Sequence, residues 1–593
     1  MPLFPETAAD SLYEPVVRLN GGAAGKVSGS IGLEAAAPVT RTHILTVALE
    51  DYFHVTPLQT VIEEDRWYRF EMRLEGSTKR TLDLLDECGA RATFFVLGWV
   101  ADAAPELVRE VVSRGHEVAS KGYHHRSPRR VSKEEFRDDA VRAREALERA
   151  TGRKVLGYRM AEDWLRPTDT WALEILAAAG YRYDSSVRLL LRTYARERWR
   201  QFPYRTTVGG RPFLEVPLSS IRLLGIDVPI AGGNYFRQFP AGLVRRAVAH
   251  WDRNYSAPYV MYFHTWELDP DQPRVNGVPW SQQVRQYRNL RKMPGLVRHY
   301  LEAYRFTSVA EYFQLDAREA PAAIAQTNGQ AHAVAAAETR PEVDTTRVTV
   351  VVPCFNEEQS LRYLGNTLRS VANELSAQYS LSFIFVDDCS SDRTWDVLHE
   401  VFGRAPNCRF FRHSRNLGVA AAIRTGIGHG RDEVVCSIDC DCTYDPHELG
   451  RMIPLLTEGV DVVTASPYHP EGRVKNVPGW RLILSKSLSR LYRLVLHQSL
   501  STYTSCFRVY RRSAVLDVDV RRGGFLGVAE MLGRLDLDGS RIVEYPTTLE
   551  VRVLGQSKMK VLRTIIGHLG LLVDLARARI TRPRTLAAAP DPF

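Results

Sequence analysis

Two aspartate pairs, Asp387-Asp388 and Asp439-Cys440-Asp441, each close an apolar run of this 593-residue chain. Two carboxylates on one turn can hold a divalent cation through oxygen ligands, and that cation can bridge a diphosphate. Transfer reactions with a diphosphate leaving group need this arrangement. An Asp-x-Asp alone is a weak signal, since most such pairs are solvated turns. A second concentration of titratable residues lies nearer the start of the chain, where Glu50, Asp51, His116, Lys121, His124, His125, Arg159 and His264 fall within apolar or Gly-rich surroundings. Carboxylates and histidines together suit metal binding and proton transfer.

The elements around the aspartates alternate between strand and helix. VTVVVPCFNEE (348–358) and SFIFVDDCSSDRT (382–394) read as buried strands ending in polar turns, with a helix over 359–378 between them. FFRHSRNLGVAAAIRTGIGHG (410–430) gives a loop and a small-residue helix start, and EVVCSIDCDCTYDP (433–446) a third strand. Such a βαβ arrangement binds ligands at the carboxyl ends of its strands. In order and spacing these blocks resemble the family 2 glycosyltransferases with the GT-A fold. The resemblance is carried by Pro353, Asn356 and Glu357, by Asp387 and Asp388, by Arg415, Asn416, Gly418 and Gly426, and by Asp439 and Asp441. It implies a Rossmann-like GT-A domain from residue 348 to about 560 and a nucleoside diphosphate-sugar donor. Asp387 and Asp388 would face base and ribose, and Asp439 and Asp441 would hold Mg2+ or Mn2+ against the diphosphate. Pro353, Asn356, Glu357, Asn416 and Gly418 complete the donor set. Cys389 departs from the pattern, because glycine is usual at that tight turn.

TYTSCFRVYRRSAV (502–515), GFLGVAEMLGRL (524–535) and EYPTTLEVRVLGQSKMK (544–560) are similar to the subgroup that transfers sugars to polyprenyl phosphate, the dolichol-phosphate mannosyltransferase-like enzymes. An acceptor phosphate needs charge neutralisation more than a strong base. Arg508, Arg552 and Lys558 are the candidates to hold it, and Glu530 to orient the donor sugar or act as base. Two amphipathic stretches, 485–500 and 561–580, carry leucines at helical spacing beside Lys486, Arg490 and Arg493 in the first and near Arg577, Arg579, Arg582 and Arg584 in the second. Either lies in a membrane interface or packs as a core or dimer helix.

In the N-terminal half, ILTVAL (44–49), ATFFVLG (92–98), HEVAS (116–120), FLEVPL (213–218) and YVMYFH (259–264) read as strands, with helices over 77–88, 105–114 and 133–151. ILTVALEDYFHV, HEVASKGYHH, LGYRMAEDW, YDSSV and YFHTWELDP follow the order of the nodulation-protein-type polysaccharide deacetylases. That resemblance implies a distorted (β/α) barrel over about residues 43–315 and metal-assisted amide hydrolysis. Carried over residue by residue, it puts Ala48 at the base aspartate and Glu50, beside Asp51, at the metal carboxylate. Lys121 stands at the first metal histidine and His125 at the second. Arg159 matches the motif arginine, with Met160 and Ala161 for Ala-Pro. His264 is the final catalytic histidine, followed by Thr265 for Pro. Alanine accepts no proton, and an ammonium repels a divalent metal unless its pKa falls greatly. Lys121 would instead pair with Glu50 or Asp51 as a fixed charge in the metal's place. The expectation is a degenerate site that binds glycan or scaffolds. The alternative is a rearranged site, with Glu50 or Asp51 as base and His116 or His124 as metal ligand.

The whole chain reads as α/β: a tail (1–40), the deacetylase-like domain (41–315), an Ala-rich linker (316–345), the glycosyltransferase domain (346–560) and a basic amphipathic segment (561–593). Hydrophobic residues make up 45% and charged residues 25%, which excludes a disordered chain. A net charge of +9 suits anionic substrates or an anionic membrane surface, and no nucleic-acid motif is present. None of the eight cysteines has CxxC spacing, which argues against zinc and for a reducing compartment. With neither a secretory pattern nor a spanning run, the expected location is cytoplasmic, peripheral at the inner face of the cell membrane. Three functions compete: a glycosyltransferase with an inactive N-terminal domain, a bifunctional deacetylase and transferase, and a non-catalytic glycan-binding scaffold.

Overall fold

The computed structural model describes residues 14–15, 41–315 (apart from 162–163, 167, 191–193, 195–196 and 224), 345–477, 479–555 and 561–581. The expected tail and linker therefore lie almost wholly outside the described residues, as do Lys558, Arg582 and Arg584. The chain divides into two compact units.

The first unit is built on β1 (Thr42–Leu49), β2 (Thr93–Val96), β3 (Glu117–Ser120), β4 (Gly157–Tyr158), β5 (Tyr183–Asp184), β6 (Tyr204–Val208), β7 (Arg211–Glu215), β8 (Val260–His264) and β9 (Arg305–Thr307). They run in the order β6-β7-β5-β4-β3-β2-β1-β8, with β9 also on β1, and every pairing but the β6–β7 hairpin is parallel. Parallel strands are covered on both faces, which is why β1 is buried from His43 to Leu49. The ends of the sheet approach through lone bridges, Arg188 with Leu218 and Gly232 with Tyr262, and the Ile230 N–H donates to Ser219 O (3.0 Å). This is a distorted (β/α) barrel. The strand expected over 213–218 ends at Glu215, before Pro217. Helix α1 (Leu74–Glu87) and helix α2 (Lys133–Thr151) flank the sheet. A capping box starts α2, with Ser132 accepting from Glu135 N–H and Glu135 reaching back, and Gly152 ends it in the left-handed conformation.

The second unit is a seven-stranded sheet of β10 (Thr346–Cys354), β11 (Tyr379–Asp387), β12 (Cys408–Arg412), β13 (Val434–Ser437), β14 (Val462–Ser466), β15 (Arg508–Arg511) and β16 (Ile542–Pro546). Its order is β12-β11-β10-β13-β15-β14-β16, parallel except for β15. The period-two alternation of strands decides the two cores. Val348, Val350, Val352, Leu381, Phe383 and Phe385 face one core together with helices α3 (Leu361–Leu375) and α4 (Thr394–Phe402). Val351, Ile384 and Val386 face the other, with α5 (Val419–His429), α6 (Gly479–Val495), α7 (Gly524–Leu537) and α8 (Val561–Thr581). A parallel sheet between helical layers is the Rossmann-like GT-A architecture. Helix α6 starts before the expected Ser485 and stops at Val495 rather than 500. The Asp536 carboxylate draws off the next N–H groups, accepting from His497 N (2.6 Å) and Gln498 N (2.8 Å).

Candidate functional site

In the second unit the aspartate pairs sit at the carboxyl ends of β11 and β13, on either side of β10. The loops after these strands are tied together: Asp388 N–H donates to Cys354 O (2.8 Å), and the Cys354 and Cys440 sulfurs lie 3.7 Å apart. Asp387 forms an ion pair with Arg412 (2.9 Å) and accepts from Ser390 N–H. Asn356 has φ 53°, accepts from Ser391 N–H (2.7 Å) and donates from its backbone to Ser390 Oγ. The Glu357 N–H donates to Thr394 Oγ1 (2.6 Å), and its carboxylate meets Arg552, whose Nη1 is also 3.7 Å from Asp441. Burial and the neighbouring Asp441 push the Asp439 carboxyl up to about 7, and burial also raises Asp441. Two carboxylates repelling each other, with oxygen donors only, suit a hard divalent cation.

In the first unit a cavity of about 120 Å³ opens over Ala48, Glu50, Lys121, His125, Arg159 and His264. The Lys121 ammonium donates to Glu50 Oε2 (2.5 Å) and lies 3.3 Å from His125 Nε2. His125 Nε2 and His264 Nε2 are each 3.3 Å from the same carboxylate. Burial by itself would raise Glu50, but Lys121, His125 and His264 outweigh it and hold the carboxyl well below its usual range. Burial lowers the Lys121 ammonium, with Glu50 opposing. A cation of the protein's own therefore fills the point where these ligands converge, and the donor set does not fit a divalent metal. Ala48 pairs in register with His264, Thr265 Oγ1 donates to Glu50 O (3.0 Å), and the Arg159 guanidinium is spent on Ser185 and Thr46. His264 Nδ1 meets Glu267 (3.2 Å), which Arg237 clamps at 2.7 Å.

Residues 349–518 match the family "Glycosyl transferase family 2", residues 64–183 "Polysaccharide deacetylase", and residues 185–314 a domain of unknown function, DUF3473. The chain joins a polysaccharide deacetylase domain to a family 2 glycosyltransferase domain. A dolichol-phosphate mannosyltransferase of Pyrococcus furiosus is 27% identical over 216 residues, 36% of this chain and 59% of that protein, so the chain spans less than two thirds of that relative. A polyprenol monophosphomannose synthase of Mycolicibacterium smegmatis is 29% identical over 222 residues, 36% of this chain and 82% of that one. Among solved structures, a glucosyl-3-phosphoglycerate synthase of Mycobacterium tuberculosis with Mn2+, UDP and phosphoglyceric acid is 18% identical, over 40% of this chain and 80% of that chain, with a TM-score of 0.30.

Several expected roles are corrected by the geometry of the two domains. In the glycosyltransferase domain Asp388 does not face outward to a ribose. It accepts from His413 Nδ1 (2.8 Å), Leu417 N–H (2.8 Å) and Gly418 N–H (2.7 Å), and so shapes the 413–418 loop. Gly418 has φ 92°, and a Cβ there would meet Gly524 N at 2.2 Å. Asn416 and Arg415 are exposed on that loop, and Pro353 is half-buried in β10. Arg508 is fully buried, with its two terminal guanidinium nitrogens on Val528 O and Tyr503 O, and its charge acts on Asp439. Glu530 is no free base: it is buried, paired with Arg534 (2.7 Å), and accepts from Arg521 N–H and Arg522 N–H. Cys389 takes φ 59°, the left-handed conformation that makes glycine usual there.

In the deacetylase domain only Glu50 of the rearranged site's residues reaches the cavity. Asp51 accepts from Tyr52 N–H (2.8 Å) and Arg73 N–H (2.6 Å), and burial raises it to about 7. Asp51, His116 and His124 do not line the cavity. Sequence reasoning passed over Glu267 and Arg237, which hold His264, and His413, which links Asp388 to Thr425 (3.0 Å). Glu267 stands three residues after His264 within YFHTWELDP, whereas nothing local marks Arg237.

Proposed function

We propose that the glycosyltransferase domain moves a sugar from a nucleoside diphosphate to a polyprenyl-phosphate acceptor, and that the deacetylase domain holds glycan without hydrolysing it. The observation carrying the first reading is the gathering of Asp387, Asp439, Asp441, Glu357 and Arg552 along one edge of the sheet. In this reading Asp387, braced by Arg412 and Ser390, receives the nucleoside, while Asp388 acts through the loop it shapes. Asp439 and Asp441 would hold Mg2+ or Mn2+, which would supply charge neutralisation for the diphosphate leaving group. Arg552, shared between Glu357 and Asp441, adds positive charge on the side where an acceptor phosphate is needed. The acceptor oxygen attacks the anomeric carbon, the bond to the diphosphate breaks, and configuration inverts. An anionic acceptor has no proton to lose, which agrees with a Glu530 already committed to Arg534.

A lipid acceptor also fits the surface. Helices α6 and α8 pack on each other, with Tyr492 OH hydrogen-bonded to His568 Nδ1 (2.8 Å) and Arg579 donating to Val495 O (2.8 Å). They leave Ile483, Leu494, Ile566, Val573 and Ile580 exposed. Lys486, Arg490 and Arg577 lie on the same two helices, a combination that suits an anionic lipid surface. Among the described residues no helix is long and apolar enough to cross a membrane. We place the protein in the cytoplasm, peripheral at the inner face of the membrane.

Support for the second reading is the Lys121 ammonium on Glu50 and the absence of any carboxylate at Ala48. One screen tests both. Nucleotide sugars are offered with Mg2+ or Mn2+, with and without polyprenyl phosphate, and flotation on anionic liposomes is read alongside. Turnover stimulated by the lipid phosphate, and flotation at low salt, are expected. Turnover indifferent to the lipid would remove the acceptor assignment, and metal-dependent acetate release from an N-acetylated glycan would remove the non-hydrolytic one.

A further inference from the structure

The deacetylase-domain cavity carries more positive charge than its pairing explains. Among the described residues its wall holds five cationic side chains, Lys121, Arg159, Arg188, Arg237 and Arg285, against two carboxylates, Glu50 and Glu267. Those carboxylates are already taken, by Lys121 and Arg237. Arg188 forms no ion pair among the described residues. It stacks on the Trp164 ring at 4.3 Å and donates to Tyr235 OH (3.1 Å). Burial lowers the Arg188 guanidinium, and Arg285 opposes its charge further. Arg285 stands exposed at the same wall, with no carboxylate partner among the described residues. Two like charges facing one cavity, with no counter-ion among the described residues, favour an anion between them.

The remaining wall has the character of a sugar site. Trp164, Tyr262 and Trp266 supply aromatic faces. Three wall residues carry buried polar atoms with no hydrogen-bond partner among the described residues: Arg188 Nε, Trp266 Nε1 and Asn234 Oδ1. Two donors and one acceptor left unpaired are costly unless a polar ligand meets them. Arg188, Asn234, Tyr262, Trp266 and Arg285 fall in the segment matched to the domain of unknown function, and Trp164 lies outside it.

We propose that this cavity binds an acidic sugar unit of a glycan, its carboxylate or phosphate against Arg188 and Arg285 and its ring against the aromatic wall. Residues of the 185–314 segment thereby make the cavity selective for charge. The proposal rests on the non-hydrolytic reading of the domain, and its test keeps the two apart.

The full chain is titrated with an oligogalacturonate, a phosphorylated oligomannose and neutral chitotetraose, by calorimetry at low and moderate salt. At least one acidic ligand is expected to bind ten-fold or more tighter than chitotetraose, with affinity falling as salt rises. Whichever acidic ligand wins assigns carboxylate or phosphate. Arg285→Ala, at an exposed position, should lose most of that preference and leave chitotetraose unaffected, and Arg188→Lys should lose part of it. Unchanged thermal unfolding and nucleotide-sugar turnover establish that the variants are folded. Equal or tighter binding of chitotetraose, no binding by either acidic ligand, or an unchanged preference in Arg285→Ala overturns the proposal. Acetate release from chitotetraose, measured in the same samples, would instead overturn the non-hydrolytic reading.

Discussion

The two carboxylate sites of this chain differ in where their positive charge comes from. Glu50 in the deacetylase domain is met by the protein's own Lys121 at 2.5 Å, with His125 and His264 completing the ring around it. Asp439 in the glycosyltransferase domain faces a second carboxylate, Asp441, and its carboxyl is pushed up to about 7. Arg552 approaches Asp441 only to 3.7 Å and is engaged with Glu357. A site whose carboxylate is bonded to the protein's own ammonium is closed to exchangeable cations, whereas carboxylates that meet arginines only at longer range gain from a cation or a proton. A carboxylate motif is therefore read by what neutralises it.

The strongest way to break the comparison is to remove the open pair. Asp439→Asn with Asp441→Asn is expected to lower metal-dependent nucleotide-sugar turnover at least ~1,000-fold, equivalent to about 4 kcal/mol of transition-state stabilisation. Thermal unfolding should hardly change, since the repulsion between the carboxylates is relieved. Turnover within ten-fold of the parent would mean that the pair is only a solvated turn. The closed site responds differently. Lys121→Met leaves Glu50 buried beside two histidines with no ammonium, and should cost about 3–5 kcal/mol of deacetylase-domain stability in denaturant unfolding. Adding Glu50→Gln should recover much of that loss. A Lys121→Met variant as stable as the parent would show that the ion pair does not neutralise Glu50.

A third substitution sharpens the contrast by converting one site into the other type. Ala48→Asp with Lys121→His should give measurable zinc or cobalt binding and slow acetate release from N-acetylated chitooligosaccharides, with neither detectable in the parent. Ala48 lies in register with His264, so the new carboxylate arrives beside the histidine expected to act with it. If metal binds and no acetate appears, the defect extends beyond these two positions, to Met160 or to the arginine-rich wall.

How much of this was legible in the sequence differs between the same two sites. Motif order placed both folds, because strands ending in Asp-x-Asp or His are local patterns. Lys121 at a histidine position announced its own consequence, since an ammonium has no lone pair to give a metal. What sequence could not show was which polar groups are already spent. Asp388 looks like a ligand contact until the three N–H and imidazole donors around it are seen, and Arg508 looks like a phosphate holder until its guanidinium is found on two backbone carbonyls. These partners lie 5 to 30 residues away, and no periodicity encodes them. The cavity arginines escaped for the same reason: Arg188, Arg237 and Arg285 converge only through the fold.

The smallest expected effect concerns the helix pair that bears the exposed apolar face. His568 of α8 is buried and hydrogen-bonded to Tyr492 OH of α6, and burial lowers its pKa to about 4. Above pH 6.5 the imidazole is neutral in folded and unfolded chains alike, and contributes no pH dependence. Below 6.5 the unfolded chain binds a proton that the folded one refuses, so stability falls with pH until about 4. At pH 5 this amounts to about 2 kcal/mol. Amide exchange in 565–581 should therefore speed up between pH 7.5 and 5, after correction for intrinsic rates, while that in β10 stays unchanged. His568→Gln, which offers an acceptor to Tyr492 and does not titrate, should abolish the difference. If exchange in α8 speeds up equally in that variant, another group loosens the pair, and the apolar face is held by something other than the Tyr492–His568 contact.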